Sequence, residues 1–477
     1  MYKNSRGHPG LVLAAAAVAQ FVVALDMSVV NVALPAVRTS LGFAPLDLSW
    51  VVHVYALTFG GFLLLGGRAC DLYGRRRLFV GGLVVFGLAS LAGGLAQAPW
   101  QLIAARAVQG LAAAAVAPAA LAALTTAFPQ GPARVRALGI WSAVNAAGGA
   151  VGVLAGGLLT EYAGWRWVML VNLPIVAAAL HLAASGLPAD PPVRRARPDL
   201  PGAALATLGT GCLVLGVVRT DRYGWTSATT LGTLLAAAVL LAAFVLVEAR
   251  TADPLIRLGL LRGRWVAGAN VVVFLAAAGQ FAAFYFVSLY MQQVLGMGAA
   301  ATGAAFLPFS LGVVVGAVLA TRLTARRTPR VALVPGAVLA AAGLAWFSMI
   351  SPGGSFLADV LGPSLLGSVG VGLVLSPVAD AATTGVPPRE AGMASGVLNS
   401  ARQLGGCVGL AVLATVAAAR TGSSASPSAL NDGYALSLAV GAGLFLTAAA
   451  VAAAVLPRRR PADVPEHREA ELEGIPS

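Results

Sequence analysis

Long apolar runs separated by short polar joints dominate the chain. Each run is close to the length that crosses a hydrocarbon layer as a helix, about 20 residues. Many joints contain proline or glycine, as at Ala98-Pro99. The pattern therefore predicts fourteen membrane-spanning helices, at residues 11–34, 48–68, 78–97, 101–126, 136–159, 166–186, 201–219, 229–248, 266–290, 302–321, 331–350, 356–379, 397–419 and 434–456.

Two polar segments and one internal similarity suggest how these helices are organised. Residues 188–200 are too polar and proline-rich to cross a membrane, and the end of the chain is charged. The strings GRACDLYGRRR (67–77) and AVLATRLTARR (317–327) follow the second and tenth spans, which suggests two related halves. The predicted division is a six-helix bundle (1–187), a cytoplasmic linker (188–200), two inserted helices (201–250), a second six-helix bundle (251–456) and a cytoplasmic tail (457–477).

Basic residues are concentrated on one side of this predicted topology. With a cytoplasmic N-terminus, 25 of the 31 Lys and Arg residues fall in inner segments, Arg402 being counted among them, and Arg106 falls within a span. The outer loops contain five, which are Arg38, Arg166, Arg219, Arg222 and Arg420. Because cytoplasmic loops carry an excess of Lys and Arg, the bias predicts cytoplasmic termini and supports the helix count.

Composition narrows the function classes. Of 477 residues, 58% are hydrophobic and only 10% are charged, whereas a soluble domain carries about 25% charged residues. The net charge of +13 forms no basic face interleaved with aromatic residues, so nucleic acid is not expected as a partner. Lys3 is the only lysine, which excludes a phosphate-binding loop of the G-x-x-x-x-G-K type. The three cysteines are scattered without metal-binding spacing, and nothing in the sequence indicates an enzyme active site.

Six short strings stand out in order along the chain. They are LDMSVVNVALP (25–35), GRACDLYGRRR (67–77), RAVQG (106–110), WRWVMLVNLP (165–174), YMQQVLGMGAAATG (290–303) and GMASGVLNSARQLGG (392–406). Together they resemble the major facilitator superfamily, in its fourteen-span drug:H+ antiporter branch (the QacA/EmrB-type multidrug exporters).

This resemblance implies an all-α polytopic major facilitator fold, with two six-helix bundles plus two inserted helices and alternating access to a site between the bundles. It implies a proton-coupled antiporter, not an enzyme, that exports hydrophobic small molecules such as drugs or antibiotics. The expected location is the bacterial cytoplasmic membrane, as a monomer. Protons, the cargo and the lipid bilayer are the expected partners, and no cofactor is expected because the proton gradient drives transport. The scarcity of acidic residues within the spans predicts neutral or weakly charged cargo.

Asp26 and Arg106 are the predicted proton-coupling residues. Asp26 lies in an apolar part of the first span, where a charged side chain costs about 2.5–3.5 kcal/mol and therefore needs a partner or a watery cavity. A carboxyl group shielded from water also binds a proton more readily. The rise of a helix places Arg106 of the fourth span within about 5 Å of the same depth, and the resemblance implies a functional arginine there. A static ion pair that locks the bundle is the alternative.

A gating loop is predicted between the second and third spans from Gly67, Asp71, Gly74, Arg75 and Arg76. The glycines permit a tight turn, and Asp71 is expected to cap or pair against a helix end of the opposite bundle. By resemblance, this loop stabilises the outward-open state. The alternative is a basic loop that only fixes the topology.

The fifth span contains a predicted helix-packing motif of Gly148, Gly152, Gly156 and Gly157. It resembles the family's antiporter motif, but Val153 stands where proline is usual. This departure puts the proline-induced bend, and any seal it provides, in doubt.

Four further residues are candidate walls of an apolar cargo cavity, namely Asn31, Phe281, Phe284 and Tyr285. Contact of the aromatic side chains with lipid and a simple interhelical hydrogen bond of the asparagine are the alternatives.

Two other functions stay open. A transporter of the same fold with one narrow substrate, such as a self-made antibiotic, a siderophore or an amino acid, would resist competition by unrelated lipophilic compounds. A non-transporting membrane scaffold or sensor would tolerate the substitution Asp26→Asn, because it has no use for a buried proton carrier.

Overall fold

The computed structural model describes residues 8–44, 47–128, 132–188, 190, 199–251, 254, 257–324, 327–386, 391–422 and 426–458, and within its helices a few side chains, that of Asp71 among them, lie outside the description. The described chain is built from helices. They are α1 (Pro9–Leu41), α2 (Trp50–Tyr73), α3 (Arg75–Gly94), α4 (Pro99–Ala127), α5 (Pro132–Tyr162), α6 (Arg166–Leu170), α7 (Asn172–Gly186), α8 (Leu200–Tyr223), α9 (Ala228–Arg250), α10 (Arg264–Leu289), α11 (Ala299–Ala305), α12 (Leu307–Thr324), α13 (Arg330–Phe347), α14 (Gly362–Thr383), α15 (Ala391–Thr421) and α16 (Pro427–Val455). Short 3₁₀ turns at Asp47–Ser49 and Leu260–Arg262 and π-helical segments at Tyr290–Val294 and Phe356–Leu361 adjoin them.

Local sequence sets many of the helix ends. Asp199, Ser227 and Ser426 precede α8, α9 and α16, and each side chain accepts a hydrogen bond from a backbone N–H three residues ahead. This contact satisfies a donor that the first helical turn leaves without a partner. At the end of α1, Gly42 takes a positive φ of 73°, which stops the helix at low cost.

Two spans are broken into consecutive helices. α6 and α7 are separated at Val171, and α11 and α12 at Phe306. Pro174 and Pro308 lie just after these breaks, where the missing N–H of proline removes a hydrogen bond to the preceding turn. When α6 with α7 and α11 with α12 are each counted as one, the described residues form fourteen helical rods.

Twelve of these rods are long and apolar enough to cross a membrane by length and composition, judged over the described residues. The chain is therefore a multi-pass membrane protein, as predicted. The other two rods are α2 and α8, and the apolar part of α8 is restricted to Pro201–Val217. The fourteen-span count consequently stays a prediction.

The helices pack into two groups. In the first group, α1 packs on α4, α5 and α7, while α4 also contacts α2 and α3. In the second group, α10 packs on α15 and α16, and α14 contacts α12 and α13. The groups meet along two seams, α2 against α15 and α5 against α11, and α8 lies against both helices of the first seam.

The apolar core is shared at one end of the molecule and divided at the other. One cluster contains residues from both groups, including Val30 of α1, Phe286 of α10 and Leu410 of α15. It lies where α1, α3, α10 and α15 end, and we call this the closed end. Towards the opposite end, which we call the divided end, each group has a cluster of its own.

The predicted domain boundaries stay predictions. Most of the predicted linker (188–200) and almost all of the predicted tail (457–477) lie outside the described residues.

Candidate functional site

The first group of helices contains a fully buried ion pair. Asp26 of α1 and Arg106 of α4 are 0% and 1% exposed, and Nη1 of Arg106 lies 2.5 Å from Oδ2 of Asp26. Helix rise had placed the two residues at similar depth, and the direct packing of α1 on α4 brings them into contact. Their role in proton coupling stays a prediction.

Three polar side chains complete the surroundings of Asp26. Gln109, Asn172 and Ser90, from α4, α7 and α3, are all 0% exposed. The amide groups of Gln109 and Asn172 donate to Oδ1 of Asp26 at 3.1 and 2.8 Å, and both also donate to Oγ of Ser90, at 2.8 and 3.3 Å. Oδ1 of Asp26 therefore has two neutral donors, and Oδ2 has the charged one.

The guanidinium of Arg106 has acceptors besides Asp26. Its Nη1 donates to Oε1 of Gln109 at 2.9 Å, and its Nε donates to the backbone carbonyl of Val51 at 3.1 Å. Its Cζ lies 4.2 Å from the centre of the Tyr55 ring, close enough for a cation–π contact. The cation is thus held by several contacts and does not depend on the carboxylate alone.

Sequence reasoning did not assign Ser90, Gln109 or Asn172 to the surroundings of Asp26. Gln109 lies within the RAVQG string, three residues after Arg106, a spacing that puts both on one helix face. This spacing was an available signal. Asn172 lies within the WRWVMLVNLP string, whereas Ser90 lies in none of the six strings. Their convergence depends on how α3 and α7 pack, which the sequence does not show.

The predicted gating loop contacts its own group of helices in the described part of the chain. Gly74 has a positive φ of 99°, a conformation that favours glycine. Arg75 donates a hydrogen bond to the Thr126 hydroxyl at the end of α4. Gly67 faces Pro118 of the same group at an ordinary contact distance. The predicted contact of Asp71 with the opposite bundle lies outside the described side chains.

Asp190 caps α3 from outside the loop. Its two carboxylate oxygens accept the backbone N–H groups of Arg76 and Arg77, each at 2.9 Å. A Cβ at Gly74 would lie 2.3 Å from the Asp190 side chain. Glycine at this position is therefore required by both backbone conformation and space, and Asp190 is a further residue that sequence reasoning missed.

The glycines of α5 face two different helices. A Cβ at Gly148, Gly152 or Gly156 would collide with the backbone of α1, since it would lie 2.8, 2.7 and 2.4 Å from carbonyl oxygens there. A Cβ at Gly157 would collide with Ala299 of α11. α5 continues through Val153 as one helix, so close packing against α1 does not require a proline there.

A charged side chain adds to the α5–α11 seam at the closed end. The Glu161 carboxylate, at the end of α5, accepts the backbone N–H of Ala300 at 2.7 Å. Gly303 of α11 approaches the carbonyl of Val153, which a Cβ would meet at 2.7 Å. The two groups of helices are in direct contact along this seam.

The four predicted cavity residues point to different partners. The Phe281 ring lies over Gly406 of α15, whereas Phe284 stacks on Phe306 inside the second group, with centroids 5.2 Å apart. Tyr285 is buried in the cluster shared by both groups. Asn31 donates to Met27 of its own helix at 3.1 Å, and its backbone carbonyl accepts from Ser288 of α10 at 3.3 Å.

Arg402, which was counted with the inner segments, lies within a helix and not in a loop. It lies within α15, eleven residues after Ala391, which is about three helical turns from the end. Without it, the predicted count is 24 inner and five outer basic residues, and the orientation stays a prediction.

Comparison with known proteins gives consistent matches over most of the chain. A sequence model of the Major Facilitator Superfamily matches residues 16–410. The cephamycin export protein CmcT of Amycolatopsis lactamdurans is 47% identical over 459 residues, covering 95% of this chain and 93% of the relative. The puromycin resistance protein pur8 of Streptomyces alboniger is 42% identical, covering 93% and 90%. The multidrug resistance protein Stp of Mycobacterium tuberculosis is 36% identical, covering 87% and 77%.

Solved transporter structures share the fold. A bacterial homologue of the human lysosomal transporter Spinster, in an inward-facing and unoccupied conformation, superposes with a TM-score of 0.64 at 16% identity and covers 95% of this chain and 97% of that chain. The POT family transporter PepTSo gives a TM-score of 0.67 at 16% identity and covers 93% of this chain and 96% of that chain.

Proposed function

The chain belongs to the Major Facilitator Superfamily, and from this premise we propose that it is a proton-coupled antiporter that exports hydrophobic small molecules. The observation that carries the proposal is the buried Asp26–Arg106 pair with its polar surroundings. Charged groups within membrane spans are expensive, and they mark proton or substrate pathways in transporters. The relatives named for export and resistance support export as the direction.

Both protonation states of Asp26 have partners in this arrangement. When ionised, its oxygens accept hydrogen bonds from Arg106, Gln109 and Asn172. Asn172 contacts Asp26 through its amide nitrogen, and its buried Oδ1 has no partner among the described residues. This oxygen is the acceptor we propose for the O–H of protonated Asp26, once the amide group rotates. Arg106 then keeps its contacts with Gln109 and the Val51 carbonyl. Protonation removes the counter-charge of Arg106. Because a buried cation without its partner is costly, the proton shifts the balance between conformations.

The proposed topology places both termini in the bacterial cytoplasm and has fourteen spans. α2 packs alongside α4 and α15, and α8 packs alongside α9 and α15. These three neighbours are all long and apolar enough to cross a membrane. The closed end then faces outward, because α1 ends there. The structure corresponds in this topology to an inward-facing conformation.

Alternating access links the proton to the cargo. A proton that reaches Asp26 from outside weakens its attraction to Arg106 and favours the inward-facing state. Cargo that enters from the cytoplasm or inner leaflet then drives proton release inward. A membrane potential of 100 mV contributes about 2.3 kcal/mol per charge moved, which corresponds to roughly fiftyfold accumulation. No cofactor takes part, and one chain is sufficient.

Exchange in inverted vesicles tests the proposal. Wild-type protein should collapse an imposed pH gradient when a transported lipophilic compound is added. Asp26→Asn should lower this signal to that of empty vesicles at matched expression, because the amide cannot carry a proton. Asp432→Asn is the matched control, since this exposed acid forms only a surface pair with Arg420 at 3.8 Å. Undiminished exchange in Asp26→Asn would refute the coupling scheme.

Narrow specificity is the second candidate. CmcT and pur8 are each named for one compound, whereas Stp is named for several drugs. Competition between unrelated lipophilic compounds for the same export signal separates the two cases, because only a broad exporter should be inhibited by many of them.

A further inference from the structure

A second arginine, Arg402, lies inside a helix that is long and apolar enough to cross a membrane. Arg402 is about 16 Å along α15 from the helix start at Ala391. Its Nε is buried without a hydrogen-bond partner. No ion pair or hydrogen bond of this guanidinium is present among the described residues.

The face of α15 that carries Arg402 points towards the seam between the two groups of helices. Gly406 and Leu410 follow on the same face at four-residue spacing. The ring of Phe281 lies against Gly406, and Leu410 belongs to the cluster shared by both groups. Leu398, one turn nearer the divided end, belongs to the separate cluster of the second group. Arg402 thus lies where the shared core gives way to the divided one.

A contact across the seam fixes the depth of this arginine. Nε2 of the next residue, Gln403, lies 4.0 Å from the sulfur of Met27 in α1. A Cβ at Gly60 of α2 would lie 2.7 Å from Cβ of Gln403. Met27 adjoins Asp26 in sequence, so Arg402 and the predicted proton site lie at similar depth on opposite groups.

The described carboxylates leave this cation without a counter-charge. Asp26 is fully buried and held by Arg106 and two amides. Glu161 and Asp359 lie near the closed end, on the last turn of α5 and just before α14. Asp47 and Asp432 also lie near the closed end, and Asp190, Asp199, Glu248 and Asp380 lie near the divided end. An arginine does not lose its proton, so the middle of the seam carries positive charge.

We propose that Arg402 binds the carboxylate of an amphiphilic anionic cargo, whose apolar part lies against Phe281 and Leu410. This inference rests on the proposed function and names its substrate class. Oε1 of Gln403 is buried and has no hydrogen-bond partner in the described part of the chain. It adds an acceptor, one residue away, for an N–H or O–H of the cargo. A guanidinium matches a carboxylate with paired donors, and an uncompensated cation in a low-dielectric setting attracts an anion strongly. The expectation of neutral or weakly charged cargo is thereby sharpened to a monoanion.

Binding of three matched probes tests the assignment. The probes are 4-(1-pyrenyl)butyrate, the corresponding butanol and the corresponding butylammonium, titrated at pH 7.5 onto purified protein in nanodiscs with empty nanodiscs as the blank. Wild type should bind the butyrate at least about tenfold more tightly than the butanol, the factor expected for a hydrogen bond to a charged group. The butylammonium should bind most weakly.

Substitutions then isolate the contribution of Arg402. Arg402→Gln should abolish the preference for the butyrate while butanol affinity stays the same, which also reports that the variant is folded. Arg402→Lys should keep part of the preference, because the charge remains. Arg420→Gln, the same change near the other end of α15 on an exposed side chain, should have no effect.

The outcomes separate this inference from the proposed function. Equal or tighter binding of the butanol or butylammonium by wild type, or an intact preference in Arg402→Gln, would overturn it. Asp26→Asn should keep the butyrate preference and lose proton exchange. If it instead kept proton exchange, the coupling scheme would fail and the assignment of Arg402 as an anion site would stand.

Discussion

Two arginines lie at similar depth on opposite groups of helices, and their surroundings differ. Arg106 is 1% exposed and has a carboxylate, an amide, a backbone carbonyl and an aromatic ring as partners. Arg402 has no hydrogen bond or ion pair among the described residues, and its Nε is buried. Arg106 is neutralised by Asp26, so it can belong to a fixed site at which a proton binds and leaves. Arg402 has no counter-charge in the described part of the seam, so its charge is available to an anionic cargo. The proton site and the cargo site are thereby on different groups of helices.

The largest expected difference in stability is between the variants that remove the guanidinium of Arg106 and that of Arg402. Arg106→Gln leaves the Asp26 carboxylate buried without its counter-charge and should destabilise the protein by about 3–5 kcal/mol. Arg402→Gln should cost less than about 1 kcal/mol, because it breaks no described ion pair. Reversible unfolding in mixed micelles measures both values.

The double variant Arg106→Gln with Asp26→Asn is the control for this comparison. It removes both charges, so it should be more stable than Arg106→Gln alone by about 1–3 kcal/mol. Equal losses in the Arg106→Gln and Arg402→Gln single variants would contradict the described difference between the two arginines.

Loss of an amide beside Asp26 should have an intermediate effect. Asn172→Ala removes a donor to the carboxylate at 2.8 Å and should cost about 1.5–3 kcal/mol in the same unfolding measurement. Asn399→Ala is the matched control, since its exposed amide only donates to Ser395 of its own helix. A loss in the control as large as in Asn172→Ala would show that the effect comes from side-chain truncation and not from the site.

A carboxylate introduced near Arg402 should neutralise the charge of this arginine, as Asp26 neutralises that of Arg106. Asn399 precedes Arg402 by three residues, so Asn399→Asp places a carboxylate on the neighbouring helix surface. The affinity of pyrenylbutyrate should fall about tenfold, the factor for one lost charged hydrogen bond, while that of the butanol should not change. Asn399→Ser serves as the neutral control, and an unchanged butyrate affinity in Asn399→Asp would argue against an available cation.

The Tyr55 hydroxyl should have the smallest effect. This oxygen is buried without a partner in the described residues, whereas the ring contacts Arg106. Tyr55→Phe keeps the ring and should change the free energy of unfolding by no more than about 0.5 kcal/mol. Tyr434→Phe is the comparison, since its hydroxyl donates to Gln293 at 2.9 Å and its loss should cost about 1 kcal/mol. A larger loss in Tyr55→Phe would indicate that its hydroxyl supports the ion pair.

The paired arginine was predictable to a large extent from sequence, and the unpaired one was not. Helix rise gave the common depth of Asp26 and Arg106 without knowledge of packing. Arg402 was counted with the charges of the inner segments, although it lies within the predicted span 397–419. α15 begins at Ala391, six residues before the predicted start of that span, so the arginine lies about three turns inside the helix.

The sequence by itself determined the helical, multi-pass class and the family, because long apolar runs and ordered motifs act locally along the chain. It also indicated one buried acid and one cation at a common depth. Only the tertiary structure decided that Asn172 reaches both Asp26 and Ser90, that Asp190 caps α3 and that the α5 glycines face two different helices. These contacts join residues far apart in sequence, and helix periodicity does not specify which neighbouring helix each face meets.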